Sequence, residues 1–437
     1  MRVDVLVAEI GSTTTVVNAF IFDPISFIGQ GQAATSVLDG DVRIGLNNAI
    51  ADLSRNLREP VKWREMLAAS SDAGGLKMCV HGLVYDMTVR AAKEAALGAG
   101  AVLKHVTAGK LKRTDIKRVG EIRPNIILVA GGLDYGERET ALYNFELLTT
   151  SYPNIPYIYA GNIQNREEIE LIATEKGVKI YITENVYPNV DILNIEPTRA
   201  IIQNVFEEHI IHAPGMEKIR EMVEGKIMPT PGAVMAAAKL LYEEIGDLVV
   251  FDVGGATTDL HSVTKGASEI TELMISPEPT AKRTVEGDLG VYVNAGNIAE
   301  KFGISEFTGV LKPIPVTGEE INLVERLTKA AVGEALERHA GRLIDSYGPA
   351  GKKTVASGKD LTAVKYVIGT GGALTRLPNR VKILENILEP KTSPRLSPRR
   401  GAEILIDNHY IMASLGVLSA KYKNEALILM KRSIGGL

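Results

Sequence analysis

Two glycine–threonine turns, 243 residues apart, constrain this chain more than any other feature of it. The later one reads Phe251-Asp252-Val253-Gly254-Gly255-Ala256-Thr257-Thr258-Asp259, with Leu248-Val249-Val250 before it and Leu260-His261-Ser262-Val263 after it. An apolar run, a tight glycine turn and an alternating run predict a β-hairpin. The earlier one follows Val5–Ala8, reads Glu9-Ile10-Gly11-Ser12-Thr13-Thr14-Thr15, and returns through Val16 to Phe22. Glu9, Gly11, Thr14 and Thr15 match Asp252, Gly254, Thr257 and Thr258 at one constant offset. Glycines let backbone N–H groups approach an anion with no Cβ in the way, and threonine hydroxyls add donors. A carboxylate at the strand end can hold a metal, directly or through water. Each turn is therefore a candidate phosphate clamp with a metal beside it, the alternative being a plain hairpin kept for the fold alone.

A second motif recurs in the same order. Ile126-Ile127-Leu128-Val129-Ala130-Gly131-Gly132-Leu133-Asp134 has a counterpart in Tyr366-Val367-Ile368-Gly369-Thr370-Gly371-Gly372-Ala373-Leu374, and the glycine pairs lie 240 residues apart. Both read as a buried strand ending in a double glycine that opens a helix. Two motifs at nearly one offset predict an internal duplication. The 437 residues also exceed what one core holds, roughly 250–300. The expected division is a first domain at 1–227, a second at 228–406 and a final helix in 407–437. The first domain is expected to carry an additional α/β segment at about 150–195, built from Tyr157–Ala160, Asn165–Lys176 and Val178–Thr183. Met228-Pro229-Thr230-Pro231-Gly232 marks the crossover and Ala233–Leu241 an apolar helix. Helical spacing covers Asp41–Arg58 and Ile321–Ile344, whereas Tyr347–Lys359 and Glu389–Arg400 read as connections.

Bulk properties exclude several classes. Hydrophobic residues make up 45% and charged residues 23%, and the net charge is −4, so neither nucleic acid nor an anionic membrane attracts the chain as a whole. No apolar run approaches the roughly 20 residues of a membrane span. Met1–Val7 enters a strand directly and lacks the shape of a signal peptide, and the expected location is the cytoplasm. One cysteine, Cys79, stands in an apolar run and reads as buried and inert; it permits no internal disulfide and no iron–sulfur cluster ligated within one chain.

Two alike halves, each with a Gly/Thr hairpin, resemble the actin, hexokinase and Hsp70 superfamily. The resemblance implies an α/β fold of duplicated actin-like ATPase (ribonuclease H-like) domains facing each other across a nucleotide cleft, with ATP and Mg²⁺ as ligands. Met228-Pro229-Thr230 resembles the first interdomain connection of that superfamily, Gly371 through Pro378 its adenosine motif, and Asp407 through Ala420 its second connecting helix. Gly11 through Phe20, Val253 through Asp259, Glu286-Gly287-Asp288-Leu289-Gly290 and Gly369 through Thr375 are similar to the glutamate-mutase-associated MutL family. That family shares only a name with the mismatch-repair MutL, and accompanies adenosylcobalamin-dependent mutases and aminomutases. The resemblance implies an ATP-using factor that reactivates such a mutase by expelling damaged cobalamin, with mutase subunits as partners and no nucleic acid or membrane; assembly of several copies stays open.

On that resemblance, Gly11, Ser12, Thr13, Thr14, Gly254, Gly255, Ala256 and Thr257 hold phosphate, while Gly371, Gly372 and Ala373 hold adenosine. Glu9 and Asp252 stand at the metal, and Glu9, Asp252 and Asp259 are the acids available for catalysis. Two positions depart from the superfamily pattern. Glu9 stands where aspartate is usual and reaches about one methylene further. Met228 stands where Hsp70-like proteins carry a catalytic glutamate, and a thioether cannot deprotonate water. Slow hydrolysis is expected, which suits a switch better than a kinase. A small-molecule kinase on the same fold is the alternative reading; a filament-forming actin relative and an electron-transferring activator are further ones, the last opposed by the single cysteine.

Overall fold

The computed structural model describes residues 1–11, 14–71, 76–213, 215–309, 311–312, 314–348, 351–389 and 394–435. Ser12 and Thr13 of the first glycine–threonine motif lie outside them. The chain divides into two compact units, Met1–Ile21 with Phe27–Gly232, and Phe22–Ser26 with Ala233–Leu437.

In the first unit, Arg2–Ile10 (β1), Thr14–Phe22 (β2) and Ile25–Ala34 (β3) lie side by side as a meander. Val42–Leu57 (α1) follows, its first turn capped by the Asp41 side chain, which accepts from the Arg43 amide. Lys62–Ser70 (β4) then runs parallel to β1. Here the chain leaves the sheet. Lys77–Gly82 (β5), Arg90–Gly98 (α2), Val102–Ala108 (β6), Arg113–Ile122 (α3), Ile126–Val129 (β7), Glu139–Ser151 (α4), Tyr157–Tyr159 (β8), Arg166–Lys176 (α5) and Ile180–Ile182 (β9) alternate strand and helix. They build a separate, wholly parallel sheet of order β6-β5-β7-β8-β9. Its strands are short apolar runs because helices cover both faces. One face buries Met78 and Val80 with Ala91, Ala92 and Ala95 of α2; the other buries Cys79, Ile127 and Val129 with Phe145 and Leu148 of α4. After Glu196–Ile210 (α6), Ile227–Pro229 (β10) rejoins the first sheet beside β4, giving the order β10-β4-β1-β2-β3.

In the second unit, Thr230–Ile245 (α7) leads into Leu248–Val253 (β11), Thr258–Val263 (β12), Ser268–Thr271 (α8) and Ala281–Glu286 (β13). Ala295–Phe302 (α9) and the long Gly318–His339 (α10) follow, the latter opened by a capping box between Thr317 and Glu320. Arg342–Gly348 (β14) and Gly351–Ser357 (β15) pair with each other. Tyr366–Thr370 (β16) runs parallel to β11, continues into Gly371–Arg376 (α11) and Arg380–Glu385 (α12), and is flanked by Glu403–Ile406 (β17). Met412–Ser419 (α13) and Lys423–Ser433 (α14) close the chain. The sheet order is β13-β12-β11-β16-β17.

The two mixed sheets have one topology: three meandering strands, then two strands parallel to the first. That is the duplicated ribonuclease H-like α/β fold expected from the sequence. The duplication differs from the expected one in its second motif. The strand that matches β16 is β4, since β4 lies parallel to β1 as β16 lies parallel to β11. β7, with Gly131-Gly132 behind it, belongs to the parallel sheet instead. The additional α/β material, expected at about 150–195, is a five-stranded sheet running from Lys77 to Ile182.

Three local readings also change. The connection expected at Tyr347–Lys359 is mostly hairpin, its alternation hidden because most side chains of β15 are exposed. The helix expected over Ile321–Ile344 stops at His339, with Ala340 extended and Ile344 inside β14. The single final helix expected from Asp407 is a turn, with Tyr410 at φ 53°, followed by two helices.

Candidate functional site

The hairpin tips are built alike. The Gly11 amide donates to the Thr14 carbonyl at 3.0 Å, and the Gly254 amide donates to the Thr257 carbonyl at 3.0 Å. A shared backbone bond at a spacing of 243 residues is what a duplicated element leaves behind. It also assigns work: the Gly11 and Gly254 amides close their own turns and are not aimed at an anion.

At the second tip the donors that remain are at Gly255 and Ala256. Both residues are exposed. The segment after β13 turns the tip's carbonyls away. Val291 donates its amide to the Gly254 carbonyl at 3.2 Å, Tyr292 and Val293 donate theirs to Gly255 at 2.9 and 2.8 Å, and the Asn294 side chain donates to Ala256 at 2.8 Å. With three successive carbonyls fixed on one side, the intervening N–H groups present on the other, as in an anion-binding nest. The Glu286-Gly287-Asp288-Leu289-Gly290 motif holds that segment in place. Gly290 lies so close to Ala256 that a Cβ there would stand 2.2 Å from its carbonyl carbon, and the Thr258 hydroxyl donates to the Leu289 carbonyl at 2.7 Å. Arg338 of α10 anchors the motif, bonding Asp288 with both terminal nitrogens (2.6 and 2.7 Å) and Glu286 at 2.6 Å. The guanidinium holds the Asp288 carboxyl below the ordinary range, whereas burial raises that of Glu286 despite the same partner.

Asp252 is half-buried at the end of β11, opposite Asp259 on one side and Thr370 on the other. Gly371 packs against it. Its φ is +83°, and a Cβ would stand 2.5 Å from Asp252 Oδ1 and 2.6 Å from the Val253 nitrogen and oxygen. The carboxylate expected at the metal and the glycine expected at adenosine are thus one contact. Thr370, just before it, donates its hydroxyl to Asp407 at 2.9 Å. Asp407, fully buried, also accepts from the Ile411 and Met412 amides and from the Ser433 hydroxyl. The strand end is thereby tied to the start of α13.

Between the tip and α11 opens a cavity of about 290 Å³. Gly255 and Tyr292 line it from one side, Gly372, Ala373 and Arg376 from another, and Ile321 and Val324 of α10 from a third, with Lys312 at its edge. That volume lies at the small end of small-molecule sites, roughly 300–1,000 Å³, and suits a base and sugar. Its lining, apolar with two cations, matches an aromatic base next to phosphate. Arg376 falls inside the Gly371–Pro378 motif, whereas Tyr292, Ile321 and Val324 were not read as site residues in the sequence. The available signal was position: Val291-Tyr292 follows Gly290 directly, and Ile321 and Val324 lie three apart on the inner face of a helix.

Asp259 has a different task from the catalytic one expected of it. It is buried, its Oδ1 accepts from Arg283 Nε (3.0 Å) and Nη2 (2.7 Å), and its Oδ2 accepts from the Thr257 hydroxyl at 3.0 Å. With both oxygens engaged it positions Thr257.

In the first unit, Glu9 is buried and accepts from the Asn18 side chain at 3.4 Å, and Asn18 in turn accepts from Gln30 at 2.8 Å. The Thr35 hydroxyl donates to the Gly11 carbonyl at 2.8 Å, bracing this tip as the segment at 291–294 braces the other. Thr14 is exposed. Met228 is half-buried in β10 opposite Ala69. Among the described residues no three His, Cys, Asp or Glu side chains gather to hold a metal. A Mg²⁺ needs only one or two carboxylates when phosphate and water complete its shell, and Asp252, half-buried beside the nest, fits that requirement.

The MutL protein family model matches residues 5–434. Protein MutL of Clostridium tetanomorphum is 35% identical over 455 residues, covering 98% of each chain. Among solved structures, a nucleotide-free acetone carboxylase has a TM-score of 0.39 at 12% identity over 96% of this chain and 70% of its own. A glycerol dehydratase reactivase has a TM-score of 0.34 at 12% identity over 96% and 100%. Both structural likenesses are distant, and the full-length matches decide the matter: the chain belongs to the glutamate-mutase-associated MutL family.

Proposed function

We propose that this protein is an ATP-binding and slowly ATP-hydrolysing reactivating factor for an adenosylcobalamin-dependent mutase, a glutamate mutase or an aminomutase, releasing damaged cobalamin through nucleotide-driven domain motion. The observation that carries the nucleotide part is the second hairpin tip, with its carbonyls braced back beside a base-sized cavity, in a chain of the MutL family. The amides of Gly255 and Ala256 bind phosphate, while the Thr257 hydroxyl, whose one proton goes to Asp259, is left as an acceptor beside them. Asp252 holds Mg²⁺, directly or through water, and Gly371, Gly372 and Ala373 admit the adenosine with Tyr292 and Arg376 against it. Glu9 and Thr14 serve the corresponding role at the first tip. Bound Mg²⁺ supplies charge neutralisation on the phosphates. With methionine at 228, orientation of the attacking water falls to Glu9 or Asp252, which keeps turnover low and favours a switch. A cytoplasmic location accords with this role, and no helix among the described residues is long and apolar enough to cross a membrane.

The test is reactivation. A purified mutase blocked with damaged cobalamin is incubated with the protein, Mg²⁺ and ATP, then given fresh adenosylcobalamin. Recovery of mutase activity and appearance of free corrinoid, both dependent on ATP, are expected. Recovery equal to that without the protein would defeat the proposal.

A further inference from the structure

The parallel sheet of the first unit presents a surface that the nucleotide site does not use. Its order β6-β5-β7-β8-β9 is a doubly wound one, in which loops at the carboxyl ends of the strands form the binding rim and the winding direction reverses between β5 and β7. Along that rim stand large exposed apolar side chains: Tyr85 after β5, Tyr135 after β7, Ile163 after β8, and Val190 and Ile192 after β9. Surface apolar residues scattered singly need no explanation, but a set gathered on consecutive loops does.

These loops are tied together. The Asp134 amide donates to the Pro188 carbonyl at 2.9 Å, and its carboxylate accepts from the Ile163 amide at 2.9 Å and the Asn185 side chain at 3.0 Å. The Asn162 side chain accepts from the Tyr135 amide at 3.2 Å and donates to the Gly136 and Glu137 carbonyls. Asn165 makes a reciprocal pair with Arg138. Asn162, Asn165 and Asn185 are themselves buried, so three polar side chains are spent on holding the rim in one shape. Across the reversal point, Gly131 approaches Leu83 of the loop after β5.

Tyr135 stands out in this frame. Its φ is +64°, a conformation costly for a bulky side chain, and the residue is 77% exposed. Internal packing does not account for an exposed aromatic residue whose backbone is held in place at a cost. An interface anchor does, because ordering it beforehand removes that cost from binding. The border is acidic along the loops after β7 and β9, where Glu137, Glu184 and Asp191 are exposed, as is Glu139 at the start of α4, with Arg138 as counter-charge; the loop after β6 at the far edge is basic through the exposed Lys110 and Lys112.

We propose that this rim is the surface on which the mutase docks, through a protein face with an apolar centre and with lysine and arginine where it meets the acidic loops after β7 and β9. Exposed side chains contributed by several loops suit a macromolecular face better than a small ligand. This inference rests on the reactivating role proposed above. The test uses the full-length protein and purified mutase subunits, with binding followed by biolayer interferometry at low and high salt. The variant Tyr135→Ala/Val190→Asp is expected to weaken binding at least about tenfold while leaving ATP binding and thermal unfolding unchanged. Charge reversal by Glu137→Lys/Glu139→Lys is expected to slow association, and the wild type is expected to associate more slowly as salt rises. Binding of both variants within twofold of wild type overturns the docking surface alone. So does loss of self-association in place of mutase binding, measured on the same variants by sedimentation. A wild-type chain that binds no mutase in any nucleotide state overturns the reactivating role as well.

Discussion

Gly371 has the least latitude of any residue at the site. Its φ of +83° is open to few other residues, and the atoms a Cβ would strike are backbone atoms of Val253 and the Asp252 carboxylate. Gly371→Ala is expected to cost about 2 kcal/mol or more, read as a lower urea midpoint, and to weaken nucleotide binding by displacing Asp252. Asp252→Asn preserves shape and removes charge. It is expected to leave the urea midpoint nearly unchanged while lowering Mg²⁺-dependent ATP affinity or turnover by about 100-fold; a variant that turns ATP over at the wild-type rate would take Asp252 out of the site. The glycines of the site were legible in the sequence through their clustering and spacing, although the close approach that fixes Gly371 is to Asp252 and Val253, far away in the chain. The task of Asp259 was not legible. Its partner Arg283 is 24 residues away, and only the pairing of Asp259 with Val285 and of His261 with Arg283 puts the two side chains on one face of the sheet.

At the scale of elements, two junctions decide how the second unit holds together. The first is the crossing of α13 and α7, where a Cβ on Gly416 would stand 1.8 Å from the Ala233 carbonyl oxygen. α13 is buried on nearly every side, so neither helix can move aside without opening the core. Gly416→Ala is expected to destabilise by about 2–4 kcal/mol in urea titration. The second is the seam between α10 and its sheet. His339 of α10 is buried, with Nε2 bonded to the Ser262 hydroxyl at 2.8 Å and Nδ1 to the Thr284 hydroxyl at 2.9 Å, and His261 is buried nearby in β12. Burial holds both imidazoles well below their ordinary pKa, so the folded chain leaves them neutral while the unfolded chain protonates them below about pH 6.5. The unfolded state then binds more protons, and stability falls as pH drops, by up to about 1.4 kcal/mol per pH unit for each histidine. Denaturation between pH 8 and 5 is expected to show this decline, and His339→Gln to remove about one proton from its slope. A pH-independent midpoint over that range would contradict the burial argument. The α10 helix itself was legible from spacing, but its far end was not, since the extended Ala340 and strand β14 are set by pairing with residues that follow.

For the whole molecule, ATP with Mg²⁺ at 100 times its dissociation constant is expected to stabilise the fold by about 2.7 kcal/mol, seen as a concentration-dependent rise in melting temperature that Asp252→Asn abolishes. The sequence by itself determined that the chain is duplicated, that each copy begins with a glycine–threonine hairpin, and that the second copy carries a buried strand ending in a double glycine that opens a helix. These follow from local requirements: apolar period, glycine where a turn excludes a side chain, and constant spacing between copies. Only the tertiary structure decided which strands share a sheet. β7 and β16 read alike, each a short apolar run before two glycines, because a strand buried between helix layers shows the same pattern in any parallel sheet. One ends in a separate five-stranded sheet and the other beside β11, since strand pairing is set by partners far away in sequence. The same holds for the tip of the second hairpin. Its glycines announced a turn, but the direction its amides face was settled by Val291–Asn294, a segment that reaches it only once the sheet has formed.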